Sequence, residues 1–186
     1  MPTHVALLRG INVGGKNKVA MADLRRLVEE LGHADVTTYI NSGNVVFTSA
    51  EPGSAAVAKA LEARITEVLG LKLNVVVLDR AELAEAIANN PYADESDPKK
   101  VHAVFRSFEM GDDDVAALAA AQEKAAAKGG KDAGTIIGRV LYLHTPDGMG
   151  RSELAAQLTK LPKGPDGGGT ARNWATVRKL EALLTA

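Results

Sequence analysis

The feature that most constrains the fold is the order in which short apolar runs and helix-spaced apolar residues alternate over the first 79 residues. Four apolar runs have the length of strands, at 5–8, 36–40, 45–48 and 75–78. Two segments between them, near 24–31 and 57–68, carry apolar residues three or four positions apart, the spacing of one helix face. The order is therefore β-α-β-β-α-β, the split βαβ arrangement of ferredoxin-like folds. We predict an α/β plait with an antiparallel sheet over residues 1–79.

The rest of the chain repeats this order in part. Residues 80–100 contain a short helical stretch and a polar segment, which we assign as a short helix and linker. Further on, the patterns predict a strand from 101, a helix from 112, a hairpin over 134–145 and a helix over 154–161. The glycine-rich residues 162–169 are expected to form a flexible loop, and Thr170 is the expected N-cap of a closing helix. The fold class is therefore α+β, with a second, incomplete ferredoxin-like subdomain (βαββα) and a C-terminal helix over residues 101–186.

Composition excludes several classes of function. The chain has 186 residues and no cysteine, which rules out disulfides, thiol catalysis and cysteine-ligated metals. It shows neither a leader-like segment nor a run of eighteen apolar residues, so we expect a cytoplasmic protein that does not enter a membrane. His102 and His144 fall on predicted neighbouring strands, but no third ligand has a suitable spacing. We predict no metal site and no cofactor.

The loop after the first strand has the composition of an anion site. Glycines at 10, 14 and 15 can present bare backbone N–H groups, while Arg9, Lys16 and Lys18 supply positive charge. The segment also satisfies the G-x-x-x-x-G-K portion of a nucleotide-binding phosphate loop. However, Asn17 stands where that loop requires the serine or threonine that binds Mg²⁺. We therefore do not predict a nucleoside triphosphatase.

Two other polar segments are expected to join this loop. In a plait, the turn between the second and third strands, Asn41–Asn44, lies at the same end of the sheet as the loop after the first strand. Residues 170–174 at the start of the closing helix add a third cluster. The alternative for the turn is a plain hairpin, and for the loop a flexible connection with solvated lysines. The candidate ligand-binding residues are Arg9, Asn12, Gly14, Gly15, Lys16, Lys18, Asn41, Ser42, Gly43, Asn44, Arg172 and Asn173.

Three blocks of the sequence resemble the bacterial family called domain of unknown function 1697. They are Ala6–Lys18, Thr38–Phe47 and Thr170–Trp174. The chain departs mildly from the family pattern at Ala20, where the family often has proline, and at Asn41, where it often has glutamine. The resemblance implies two α/β plait subdomains. It implies no established activity.

The leading hypothesis is a cytosolic binding protein for a phosphate-bearing ligand, either a nucleotide-like small molecule or nucleic acid, held by the three polar segments. Plait proteins that bind RNA carry aromatic residues on the open sheet face. Here the strands supply at most Phe47, and the net charge is −1, which disfavours RNA. A small transferase or hydrolase using the same cleft is one alternative, although no general base is identified. A structural or oligomerisation module without a ligand is another. The sequence does not predict the oligomeric state.

Overall fold

The computed structural model describes residues 1–186. The chain divides into two compact units, the first comprising residues 1–85 with 178–186 and the second residues 86–177. Each unit contains one four-stranded sheet in which all neighbouring strands are antiparallel. The predicted α+β class with two plait-like subdomains is confirmed.

The first sheet has the strand order β2-β3-β1-β4, which is the ferredoxin-like order. Helices α1 and α2 form the two crossovers, and α3 follows β4 directly. The elements are β1 (His4–Leu8), α1 (Met21–Glu30), β2 (Ala34–Tyr39), β3 (Asn44–Thr48), α2 (Ser54–Leu69), β4 (Val75–Asp79) and α3 (Arg80–Ala88).

The second sheet has the order β6-β7-β5-β8. The elements of the second unit are β5 (Val101–Phe105), α4 (Asp112–Ala127), β6 (Ala133–Ile137), β7 (Val140–His144), α5 (Glu153–Leu158) and β8 (Thr170–Asn173). The last helix is α6 (Trp174–Thr185), whose residues from 178 onward belong to the first unit. Short 3-10 turns at Pro98–Lys100 and Met149–Arg151 precede β5 and α5. No helix reaches the combination of length and hydrophobicity that crossing a bilayer requires.

Both faces of the first sheet carry buried apolar side chains. On one face, side chains of β1 and β3 form a core with α1 and α2, including Ala6, Leu8, Val45, Phe47, Leu24, Leu27, Leu61 and Ile65. On the other face, Val5, Leu7, Val46 and Val76 are also buried. On the same face Thr37, Val46 and Leu183 of α6 line an open cavity next to the N-terminus, and Thr37 is exposed. The strands β1, β3 and β4 therefore offer no open face on which nucleic acid bases could stack.

The fourth strand of the second sheet corrects the expectation of an incomplete plait. Residue Thr170 is the first residue of β8, where it pairs with Phe105 of β5. The cap of α6 is Asn173 instead, because its Oδ1 accepts a hydrogen bond of 2.9 Å from Thr176 N. The four residues of β8 have no apolar alternation, so only their ladder with β5 identifies them as a strand.

The register of the second sheet separates the two histidines that were considered as a metal pair. His144 lies opposite Val101, and His102 lies opposite Leu143. Because successive side chains point to opposite faces of a sheet, His102 and His144 are on different faces. His144 instead bonds to Glu95, with Nε2 2.7 Å from Oε2. No group of three metal-ligating side chains is present anywhere in the structure.

The glycine-rich loop 162–169 is organised around a buried ion pair, although the sequence predicted a flexible connection. Arg106 donates from Nε to Asp166 Oδ2 and from Nη2 to Oδ1, both at 2.9 Å. The backbone N–H of Ser107 donates to the same carboxylate at 2.9 Å. Burial by itself raises the pKa of Asp166, but the bonds from Arg106 and Ser107 outweigh it and hold that pKa below its usual value. The pair stabilises the approach to β8.

Candidate functional site

The loop after β1 is a small, ordered hairpin. Val13 and Lys16 form a β-bridge, and Lys16 N donates to Val13 O at 3.1 Å. The two residues between them, Gly14 and Gly15, both adopt left-handed backbone conformations, with φ of +58° and +74°. Two consecutive positive φ values are typical of the two-residue turns that close β-hairpins, and glycine adopts them without strain. The hairpin therefore presents its glycines at an exposed tip.

The side chain of Asn12 anchors the base of this hairpin. Its Nδ2 donates to Val19 O and to Asn41 O, both at 2.9 Å. Its Oδ1 accepts from Val19 N, also at 2.9 Å. Both N–H groups and the carbonyl oxygen of the amide are thus engaged within the protein. The geometry assigns Asn12 to positioning the loop against the β2–β3 turn.

The turn 41–44 lies beside the loop, at the end of the sheet where plait topology places it. Leu8 N donates to Gly43 O at 2.8 Å. A Cβ at position 43 would lie 2.8 Å from both Leu8 Cβ and Ile11 Cδ1, and the backbone there has φ of +83°. Glycine is required at this position for two reasons, the left-handed conformation and the close approach of the loop.

The interior of the turn is held by Asn44, which is fully buried. Its Nδ2 donates to Tyr39 O and Ser42 Oγ, both at 3.0 Å. Ile40 adopts a φ of +51°, which for a β-branched residue is rare and strained. Such strain costs on the order of 1–3 kcal/mol. The turn is therefore more than a plain connection, because it maintains an unfavourable conformation next to the hairpin.

Several cations lie at this end of the sheet, together with the carboxylate of Glu62, whose Oε1 accepts a hydrogen bond of 2.9 Å from Val75 N. Lys16 and Lys18 are exposed, and Arg9 has intermediate exposure. Arg9 N donates to Asn74 O at 3.0 Å, which brings the segment before β4 to the same edge. That segment contains Lys72, an exposed cation that the sequence analysis did not select. The position of Lys72 could have been predicted from the topology, because β4 is antiparallel to β1 and begins where β1 ends.

Arg172 and Asn173 belong to the second unit. Arg172 lies opposite Ala103 in the β5–β8 ladder, on the sheet face away from Leu143, which packs with α4 and α5. Burial lowers the pKa of Arg172 to about 10, so the guanidinium remains charged at neutral pH. Its Nη1 donates to Ala171 O at 2.9 Å. The amide of Asn173 caps α6, which explains this residue without a ligand.

Comparisons with known proteins identify relatives but no activity. A family model described as "Protein of unknown function (DUF1697)" matches residues 1–142, which include the hairpin and the turn. A solved structure described as conserved bacterial protein SP0830 from Streptococcus pneumoniae superposes with a TM-score of 0.73. The two sequences are 27% identical, and the match covers 98% of each chain. No curated protein matches the chain.

Proposed function

The chain belongs to the DUF1697 family of proteins of unknown function, and we propose that it binds a phosphate-bearing small molecule. The proposed site is the end of the first sheet where the hairpin 12–17 meets the turn 41–44. The observation that carries the proposal is the anchored hairpin: Asn12 fixes its base to Val19 and Asn41, while Lys16 and Lys18 remain exposed.

The chemistry of this arrangement suits a phosphate. Successive backbone N–H groups in a tight turn can converge on one anion, and Gly14 and Gly15 occupy such a turn. The ammonium groups of Lys16 and Lys18 add charge within the same short segment. Because the hairpin is already ordered, little conformational entropy is lost when an anion binds.

A small molecule is favoured over nucleic acid. The strands β1, β3 and β4 are buried on both faces, so they leave no open β-surface for stacked bases. Nucleic acid binding depends on neutralising many phosphates, whereas this chain has a net charge of −1. A cytoplasmic location is part of the proposal, since a chain without cysteine suits a reducing compartment.

A structural role is the second candidate, and particular residues favour it. The side chains of Asn12 and Asn44 are engaged in internal hydrogen bonds, and Gly43 is required by packing. These contacts explain three of the candidate residues without a ligand. They do not explain why exposed lysines follow the glycine turn. Catalysis at the same site, by transfer or hydrolysis of the phosphate group, is the third alternative. It is tested by measuring whether a bound phosphate compound is converted to product.

The test compares a Lys16→Ala, Lys18→Ala double variant with a Lys59→Ala control. Lys59 is also exposed but lies on α2. The panel contains inorganic phosphate, sugar phosphates and nucleotides, and the measurement is the melting temperature followed by calorimetric titration. We expect a phosphate compound to raise the melting temperature of the parent protein and the control by mass action, and to bind the double variant at least about tenfold more weakly. Equal affinity in the double variant refutes the site.

A further inference from the structure

Two exposed apolar side chains lie next to the proposed phosphate site. Val13 is 64% exposed and Ile40 is 51% exposed. Their chain neighbours are joined by the hydrogen bond from Asn12 Nδ2 to Asn41 O. The two side chains therefore belong to the same end of the first sheet as Lys16 and Lys18. An apolar patch beside cations is complementary to a ligand that combines an apolar group with an anion.

The conformation of Ile40 also indicates that this residue contacts a ligand. At a φ of +51°, asparagine or glycine would be little strained, whereas isoleucine is strained. The side chain is not buried in return, since half of its surface remains in solvent. Strained residues of this kind concentrate at ligand clamps and active sites. The uncompensated strain and exposure both point to a contact that the protein makes only when a ligand is bound.

We propose that Val13 and Ile40 contact a planar ring on the ligand whose phosphate is held at Lys16 and Lys18, so that the ligand is a nucleoside phosphate. This inference rests on the proposed phosphate site and adds the class of its ligand. Two exposed β-branched side chains on adjoining segments offer apolar surface to the flat face of a base. A long acyl chain would require an extended apolar groove, and the hairpin and turn supply only these two exposed apolar residues.

The experiment is calorimetric titration of the full chain with ribose 5-phosphate, adenosine monophosphate and hexyl phosphate. We expect adenosine monophosphate to bind at least about tenfold tighter than ribose 5-phosphate, because the base adds a buried apolar contact. Ile40→Asn should remove that advantage and leave the affinity for ribose 5-phosphate unchanged. It should also raise the melting temperature, because asparagine relieves the strain. Val115→Asn, at an exposed position on α4, is the matched control and should retain the advantage.

Several results would overturn the inference. One is that adenosine monophosphate binds no tighter than ribose 5-phosphate, and another is that Ile40→Asn binds it as tightly as the parent. Equal binding of hexyl phosphate and adenosine monophosphate would exclude the planar ring. If the base is rejected while ribose 5-phosphate still depends on Lys16 and Lys18, only this inference fails. If no phosphate compound binds, the proposed function fails with it. Val13→Ser, at the exposed hairpin, repeats the test should Ile40→Asn fold poorly.

Discussion

Replacing Asn12 by alanine removes three hydrogen bonds. It also leaves alanine, which has no polar side chain, in the left-handed backbone conformation that asparagine tolerates better. The bonds to Val19 N and O are partly buried and contribute about 1 kcal/mol each, and the more exposed bond to Asn41 O about 0.5 kcal/mol. The φ of +54° costs alanine roughly 1 kcal/mol. We therefore expect Asn12→Ala to lower the free energy of unfolding by about 3.5 kcal/mol.

A second variant separates the two contributions. Asn12→Gly loses the same hydrogen bonds but adopts the left-handed conformation freely, so its loss should be about 1 kcal/mol smaller. The free energy of unfolding is measured by urea titration, following the transition of the first unit if the two units unfold separately. Hydrogen exchange of the Val19 amide gives a local measurement, since its protection should fall in both variants.

The outcome that refutes the reasoning is specific. If both variants unfold within about 0.5 kcal/mol of the parent and Val19 remains protected, the Asn12 amide does not anchor the hairpin. The proposal of a preorganised phosphate site would then lose its main support. If the two variants are equally destabilised, the left-handed backbone contributes nothing measurable and the hydrogen bonds account for the whole effect.

Three further expectations follow from packing and from titratable groups. Gly43→Ala should destabilise the first unit by about 3 kcal/mol or more in urea unfolding, since it adds both strain and overlap; a loss below about 1 kcal/mol would contradict this. Asp166 has a lowered pKa in the folded protein, so its contribution is complete above the unfolded pKa near 3.9 and is lost as the pH falls through the folded value. Asp166→Asn should lower the free energy of unfolding by about 3–5 kcal/mol at pH 7. Below pH 4, the stability of this variant should change less with pH than that of the parent protein. Burial is the largest cause that lowers the pKa values of three histidines, His4, His33 and His102. Stability should therefore be complete above pH 6.5 and fall as the pH decreases toward the folded pKa values, since the unfolded chain binds protons first; a melting temperature that is flat between pH 7 and 5 would argue against it.

Each part of the candidate site was predictable to a different degree. The glycines and cations of the loop were identified from composition, and the position of the turn from plait topology. The role of Asn12 could not be predicted from the sequence, because its partners are backbone groups of Val19 and Asn41. Every residue has these backbone groups, so they carry no sequence signal. Ile40 was missed for a related reason, since isoleucine in a strand pattern predicts an extended conformation and only the closed turn reverses its φ.

The sequence by itself determined the order of strands and helices over the first 79 residues, because the two periodicities depend on neighbouring residues along one chain. It also determined that cysteine chemistry is absent. Only the tertiary structure decided that Thr170–Asn173 forms a strand, since those residues lack a strand pattern and are held by pairing with β5. It alone placed His102 and His144 on opposite faces, because register depends on how two strands align. The Arg106–Asp166 pair likewise joins residues distant in sequence, and no local pattern records which distant charges meet when the chain folds.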